Sequence, residues 1–532
     1  VSDATIAVRR AEETLAPLLV AAHRASWDVN VAATEKHERA RIAADVALSD
    51  ALADAALFDV VVASRESAEG FERRQLDLVH AAMLASQAPA ALRHRIIELE
   101  SSVESTFAQH RAALDGRRVN ENEILAVLRH SGDVDERRGA WEASKTIGTA
   151  VADDVRDLAR LRNELARGLG FRDWFALAVT ESELDEGRLL ETLAACDAAT
   201  AELFAEWKLG TDAVLAAGFG CRTDELRPWH YADPFFQEVP VTGGVDLDPL
   251  LADRDVVALA VSTFDGIGID TAAVIARSDL YPREGKCQHA FCLDVDRAGD
   301  VRVLANVIDN AYWADTMLHE LGHAAFDLGI DPGLPFLLRD CHLTVTEGIA
   351  ILMGGLAREG RWLRDLAGVD GAVTDALETR LRASRTAERL LFTRWVLVMT
   401  TFERALYADP EQDLDARWWE LVARFQGVTP PETPPAGAWA AKIHIGCAPV
   451  YYHTYLYGHL VAAQLRAALA REAGGLVARP AAGTFLRERV FRLGESQRWD
   501  RVIEHATGGP LTVAHFAAEL STQPPPLSEP VA

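Results

Sequence analysis

Along its first 220 residues the chain alternates apolar and polar positions in an almost wholly helical pattern. Alanine, leucine, glutamate and arginine dominate there, and these side chains lose little freedom in a helix. From Glu72 onward, Leu76, Val79, His80 and Met83 recur at i, i+3, i+4 and i+7, which places them on one helical face. Pro89 interrupts that helix or begins the next, because its ring supplies no N–H to a helix interior. A further helix is expected over 151–167. Gly168 and Gly170 punctuate it, and an apolar pattern resumes over 171–180. Core packing accounts for all of these stripes.

The pattern changes over 226–262, where Pro228, Trp229, Tyr231, Pro234, Phe235 and Phe236 mix with glycine and aspartate. This predicts a loop-rich passage. Two strand-like runs follow, Gln288–Val295 and Arg302–Val307. Arg297, Gly299 and Asp300 lie between them, so the pair predicts a hairpin. Helical periodicity then returns. Residues 522–532 hold Pro524, Pro525, Pro526 and Pro530 and are expected to form an extended tail.

Composition narrows the class. With 532 residues the chain can bury a large core, and its net charge of −26 argues against a nucleic-acid or anionic-membrane binder. The six cysteines (Cys196, Cys221, Cys287, Cys292, Cys341 and Cys447) form no CxxC pair, so neither a disulfide framework nor a zinc ribbon is expected, although one or two bridges stay open. No run of about 18 apolar residues suggests a membrane span. Val1–Arg10 carry no apolar secretion segment, which favours a cytoplasmic location; a periplasmic or secreted one stays open if the chain start is processed.

The chemistry concentrates at His319-Glu320-Leu321-Gly322-His323. Asn310 is placed to cap a helix beginning at Ala311, and Gly329 to end it. Within that helix His319 and His323 are one turn apart and can share one ion, while Glu320 can take a proton from water at the metal. A catalytic zinc needs a third protein ligand. Glu347 is the candidate, in Leu343-Thr344-Val345-Thr346-Glu347-Gly348. Thr344 and Glu347 also have the spacing of a capping box, in which the glutamate needs no metal. Asp309, Asp315 and Asp340 are further carboxylates nearby in sequence. Asp315, one turn before His319, is placed to orient that imidazole or to face solvent.

His319–His323 followed by Glu347 resembles the glutamate-type zinc peptidases. Within them it most resembles the angiotensin-converting-enzyme-like dipeptidyl carboxypeptidases, especially the bacterial ones. The interval to the third ligand matches, as do Pro335, Leu338 and Arg339 between the helices. The resemblance implies that Glu347 is the third ligand of a single catalytic Zn2+.

It extends further. His289-Ala290-x-Cys292-x-Asp294 resembles the family's strand beside the bound peptide, where His289 and Ala290 would contact substrate. Lys442-x-His444, followed by Tyr452 and Tyr455, resembles the family's lysine–histidine segment and tyrosine pair. By that resemblance His444 and Tyr455 stabilise the oxyanion, and Lys442, Tyr452 and Gln237 hold the substrate's terminal carboxylate. Trp27-Asp28-x-Asn30 and Gly494-x-Ser496-x-x-Trp499 resemble the two ends of the family. Ile351 stands where the family often has an aspartate, and His453 or Thr454 where animal members carry a chloride-binding arginine.

The implied fold is mainly α. Two intertwined helical halves would flank a deep cleft with a small antiparallel sheet at its wall, in a single peptidase domain over 1–532, with a helical lid over 1–100. The implied activity is release of dipeptides from the free C-terminus of short peptides. Single-residue removal, internal cleavage and silent peptide binding on the same fold are the alternatives. The acidic charge leaves no role for nucleic acid, and oligomeric state stays undetermined.

Overall fold

Buried aliphatic and aromatic stripes, started by polar caps, organise this computed structural model, which describes residues 2–240 and 245–521. Helix α1 (Asp3–Val31) opens behind Ser2, whose hydroxyl accepts the N–H of Thr5. Strands β1 (Ala112–Leu114) and β2 (Arg117–Val119) follow some eighty residues later. Helix α2 (Val134–Gly168) is capped by Asp133, and α3 (Glu186–Phe219) by Asp185. Strands β3 (Phe291–Asp294) and β4 (Val301–Leu304) lead into α4 (Ala311–Gly329), where Asn310 accepts the N–H of Trp313 as expected. After that come α5 (Leu343–Gly354), α6 (Gly371–Ala408), α7 (Ile443–Cys447) and α8 (Tyr452–Ala473). The fold is mainly α, with two small antiparallel sheets among the described residues.

The first 220 residues are almost wholly helical as expected, interrupted by one short hairpin in which β1 and β2 pair from Ala112↔Val119 to Leu114↔Arg117. Asp115 and Gly116 turn the hairpin with φ of 51° and 76°, the left-handed pair that a two-residue loop favours. Two expectations need correction. The loop-rich passage stops short of 262, since Asp255 caps a helix over Val256–Gly266. The second hairpin forms where expected but is shorter, pairing from Phe291↔Leu304 to Asp294↔Val301.

Other expectations fit. Leu76, Val79 and Met83 are buried on the helix Gly70–Leu84, with His80 half-buried, and Pro89 caps the next helix. The run 151–167 is the second half of the 35-residue α2. All six cysteines are free thiols, so none of the bridges left open by the sequence forms. No helix among the described residues is long and apolar enough to cross a membrane. The tail 522–532 lies outside the described residues.

The chain divides into two units. The first takes residues 2–87, 246–378 and 457–516, and the second the described residues of 88–245, 379–456 and 517–521. The region 1–100, expected as a lid, thus contributes to the first unit up to Gln87 and to the second from Ala88.

In the first unit, Ala7, Ala11 and Leu15 of α1 pack with Leu57, Val61, Leu76, Met83 and Leu337. The end of α1 braces the segment before β3: Cys287 donates its N–H to the carbonyl of Asn30 at 2.9 Å, and Trp27 meets Phe291 edge-on. Helices α4, α5 and α8 approach closely through glycines. A Cβ on Gly322 would lie 2.9 Å from Ala350 Cα, and one on Gly348 2.3 Å from Val461 Cγ1. In the second unit, Trp395 of α6 packs edge-on against Trp418 and Tyr452. There too, fully buried Gln426 donates to the carbonyls of Phe235 and Phe236.

Candidate active site

Helix α4 sets the imidazoles of His319 and His323 one turn apart, with ring centroids separated by 5.0 Å. Helix α5 brings in Glu347, whose Oε2 is 3.8 Å from His319 Nε2. One donor atom from each of the three residues lies within 4.8 Å of the others, close enough to hold one metal ion. Two imidazoles and a carboxylate are a donor set suited to zinc, with a coordination position left over.

The capping-box alternative for Glu347 is overturned. The N-cap of α5 is His342, whose Nδ1 accepts the N–H of Thr344 at 3.2 Å. Thr344 is therefore already inside the helix, and Glu347, in its second turn, has no cap to serve. Glycines allow its placement: a Cβ on Gly458 of α8 would come within 3.3 Å of Glu347 Cβ. Ile351 packs against the same glycine, its Cδ1 2.9 Å from that position.

Sequence reasoning missed Thr346. Its Oγ1 is 2.7 Å from His323 Nδ1. With Nδ1–H donating to the hydroxyl, Nε2 keeps its lone pair for an ion. One stretch of α5 thus supplies both a candidate ligand, Glu347, and the hydroxyl bonded to another candidate, His323. The signal was a buried threonine beside the candidate glutamate in an apolar run. Asp315 lies on α4 as expected and forms an ion pair with Arg358 at 3.5 Å.

The electrostatics favour a cation. Burial pushes Glu320 up to about 8, with the charge of Glu347 adding to it and a backbone hydrogen bond from Cys292 opposing it. Burial pushes Glu347 up to about 7. The same burial holds His319 down to about 4, and burial followed by the neighbouring His319 holds His323 down to about 3. Both imidazoles are therefore neutral near pH 7, the form that ligates a metal, and among the described residues no cation offsets the charge of Glu320 and Glu347 as a dication would.

The strand residues sit differently from expectation. His289 is exposed on a bend and Ala290 is half-buried, so both precede β3 rather than belong to it. Pairing begins only at Phe291, where Leu304 provides a partner.

A second cluster forms within the second unit. Lys442 Nζ donates to Gln237 Oε1 at 3.1 Å, joining two residues assigned to one task and 205 positions apart. The ammonium lies 5.5 Å, 5.6 Å and 5.8 Å from the ring centroids of Phe235, Trp395 and Tyr452. Burial lowers the Lys442 pKa, and Asp233 chiefly opposes that.

Asp233 builds the loop that presents Gln237. Its carboxylate accepts the N–H groups of Phe235, Gln237 and Glu238 at 2.8–2.9 Å. Buried Lys145 donates to the carbonyl of Pro234 at 2.7 Å and sits over the Phe235 ring. His444 contacts Tyr452 with ring centroids 4.9 Å apart, and Tyr455 is half-buried against Tyr451, Tyr452 and Phe392. Burial, then Lys442, holds His444 down to about 4, so its imidazole is neutral.

Paired histidines one turn apart with a glutamate on the next helix are the arrangement of the glutamate-type metallopeptidases that the sequence resembles. Residues 1–194 match the family model for angiotensin-converting enzyme, and residues 262–522 match that for peptidase family M3. The second match contains the whole His319–His323–Glu347 set. No curated protein matches the chain significantly. Together the two matches support a zinc metallopeptidase related to peptidase family M3 and angiotensin-converting enzyme.

Proposed function

We propose that this peptidase releases dipeptides from the free C-terminus of short peptides. The observation that carries the reading is the Lys442–Gln237 contact in its aromatic surround. A half-buried ammonium beside an amide can meet a carboxylate with one charge-assisted and one neutral hydrogen bond. Tyr452, on the same cluster, is assigned as the third contact.

His319, His323 and Glu347 would hold one zinc ion, which when bound supplies Lewis acidity and lowers the pKa of water. Glu320 would take the attacking water's proton and return it to the leaving amine; its raised pKa makes it a competent carrier near neutral pH. Thr346 fixes the His323 ring, and Asp315 is proposed to support His319 from the preceding turn. His444 and Tyr455 are assigned as donors to the oxyanion. A neutral imidazole is a suitable donor, and His444 Nδ1 is buried with no hydrogen-bond partner among the described residues. His289 and Ala290 are assigned to the substrate backbone.

The match of residues 262–522 to family M3 favours internal cleavage as the second reading. Timed mass spectrometry on free-acid and C-terminally amidated peptides, with zinc supplied, separates the readings. Loss of successive dipeptides from free acids alone, abolished by Glu320→Gln, is the expected result. Equal cleavage of amidated peptides would establish the oligopeptidase, and single-residue products a carboxypeptidase. No turnover despite bound zinc would leave a peptide-binding protein.

A further inference from the structure

A β-branched residue in left-handed backbone is uncommon, and Val450 is one, with φ of 60°. It sits in the four-residue linker 448–451 between α7, which carries His444, and α8, which carries Tyr452 and Tyr455. Glycine would adopt that conformation without steric cost. Valine persists there only if its surroundings hold it, and such strain concentrates at functional sites.

The holding group is Glu403 of α6. Its carboxyl is 1% exposed, and its Oε1 accepts the N–H of Val450 at 2.6 Å. Arg162 of α2, also fully buried, donates to the carbonyl of Gly446 at 2.7 Å and to the hydroxyl of Tyr407 at 3.3 Å. It also pairs with Glu100 at 3.3 Å. The linker is therefore clamped at both ends, by Arg162 on the last turn of α7 and by Glu403 just before α8. Burying two ionisable side chains to fix four residues of linker is costly for stability alone, because each must be desolvated. What the clamp sets is the relative placement of Lys442 and His444 on one side and Tyr452 and Tyr455 on the other.

We propose that Glu403 is a positioning residue for peptide hydrolysis: by capping left-handed Val450 it fixes the register between the Lys442–His444 segment and the Tyr452–Tyr455 helix. The inference rests on the reading of those four residues as substrate-binding groups. The required chemistry is hydrogen-bond acceptance, which a carboxylate, a carboxylic acid or an amide can supply through one oxygen.

The test compares zinc-loaded wild type with Glu403→Leu, Glu403→Gln, Val450→Gly and the Glu403→Leu/Val450→Gly double variant on one free-acid peptide. Zinc content and thermal melting are measured alongside. Glu403→Leu is expected to lower kcat/KM by about 10- to 100-fold, the usual effect of misplacing a reacting group by an ångström, with zinc content unchanged. Glu403→Gln is expected to keep near wild-type constants. Val450→Gly is expected to restore part of the loss in the double variant, since glycine needs no clamp. If Glu403→Leu does not fold, Glu403→Asp draws the carboxyl back by one methylene and is expected to act in the same direction.

Folded, zinc-loaded Glu403→Leu with unchanged kcat and KM overturns the proposal, as does a Glu403→Gln variant as impaired as the leucine one. Failure of glycine to rescue also overturns it. A wild type that cleaves no free-acid peptide sinks the functional reading instead, so the two failures are distinct.

Discussion

Gly322, inside the His-Glu-x-x-His helix, tests whether helix spacing sets the metal centre. In Gly322→Ala the new methyl would lie 2.9 Å from Ala350 Cα and 3.4 Å from both Ala350 N and Ile349 O. These are backbone atoms of α5, which cannot swing aside as a side chain would. Carbon atoms rest about 3.5–4.0 Å apart, so the helices must part by roughly 0.6–1 Å at this point. Ala350 is three residues from Glu347 on the same helix, so the displacement carries the proposed third ligand with it. Metal–ligand distances tolerate only about 0.2 Å.

Two opposite terms act on stability. Alanine is favoured over glycine in a helix by about 0.8–1 kcal/mol, while overpacking a core costs about 1–3 kcal/mol. The net effect on the metal-free protein is therefore small, from near zero to about 2 kcal/mol of destabilisation. Zinc affinity should fall at least about tenfold, equivalent to ~1.4 kcal/mol. Competition with a chromophoric chelator measures the zinc dissociation constant, and urea unfolding of the metal-free protein measures stability. An unchanged zinc affinity in a folded Gly322→Ala protein would refute the claim that the α4–α5 spacing holds Glu347 in place.

Two further outcomes follow from named contacts. Thr346→Val removes the group bonded to His323 Nδ1 and should cost about 10–100-fold in zinc affinity or in kcat/KM, whereas Thr346→Ser should retain both; equal values for valine and wild type would exclude the orienting role. Glu403 is pushed by burial from its ordinary 4.5 up to about 8, so between those values the folded state keeps a proton that the unfolded state has lost. Wild-type stability from this group therefore falls as pH rises through that window. Glutamine does not titrate, so Glu403→Gln should gain on wild type by a few kcal/mol from pH 5 to pH 8 in urea unfolding, and a pH-independent difference would refute it.

Legibility varied with the range of the interaction. The two candidate histidine ligands were readable because they lie within one turn of one helix, where local spacing nearly fixes geometry; Glu347 as third ligand followed only from the family resemblance. The capping-box ambiguity at Thr344 and Glu347 was not resolvable locally, because it depended on whether the helix began at His342 or at Thr344. The Asp115-Gly116 turn carried a readable signal, obscured by the long helical runs on either side. The strand before α4 came out too long, since apolar character marks a strand but only a pairing partner gives it limits.

By itself, then, the sequence determined the mainly helical character, the cap at Asn310, the histidine pair with Glu320, and the acidic net charge. These rest on residue type and on spacings within a few turns, where chain geometry is constrained by covalent connection. Tertiary structure alone decided that Thr346 faces His323, that Gln237 meets Lys442, and that Glu403 and Arg162 clamp the linker around Val450. The last two join residues far apart along the chain, and the first depends on how two helices pack. Their partners are chosen by burial, which leaves each polar group only the neighbours that the fold places within hydrogen-bond reach.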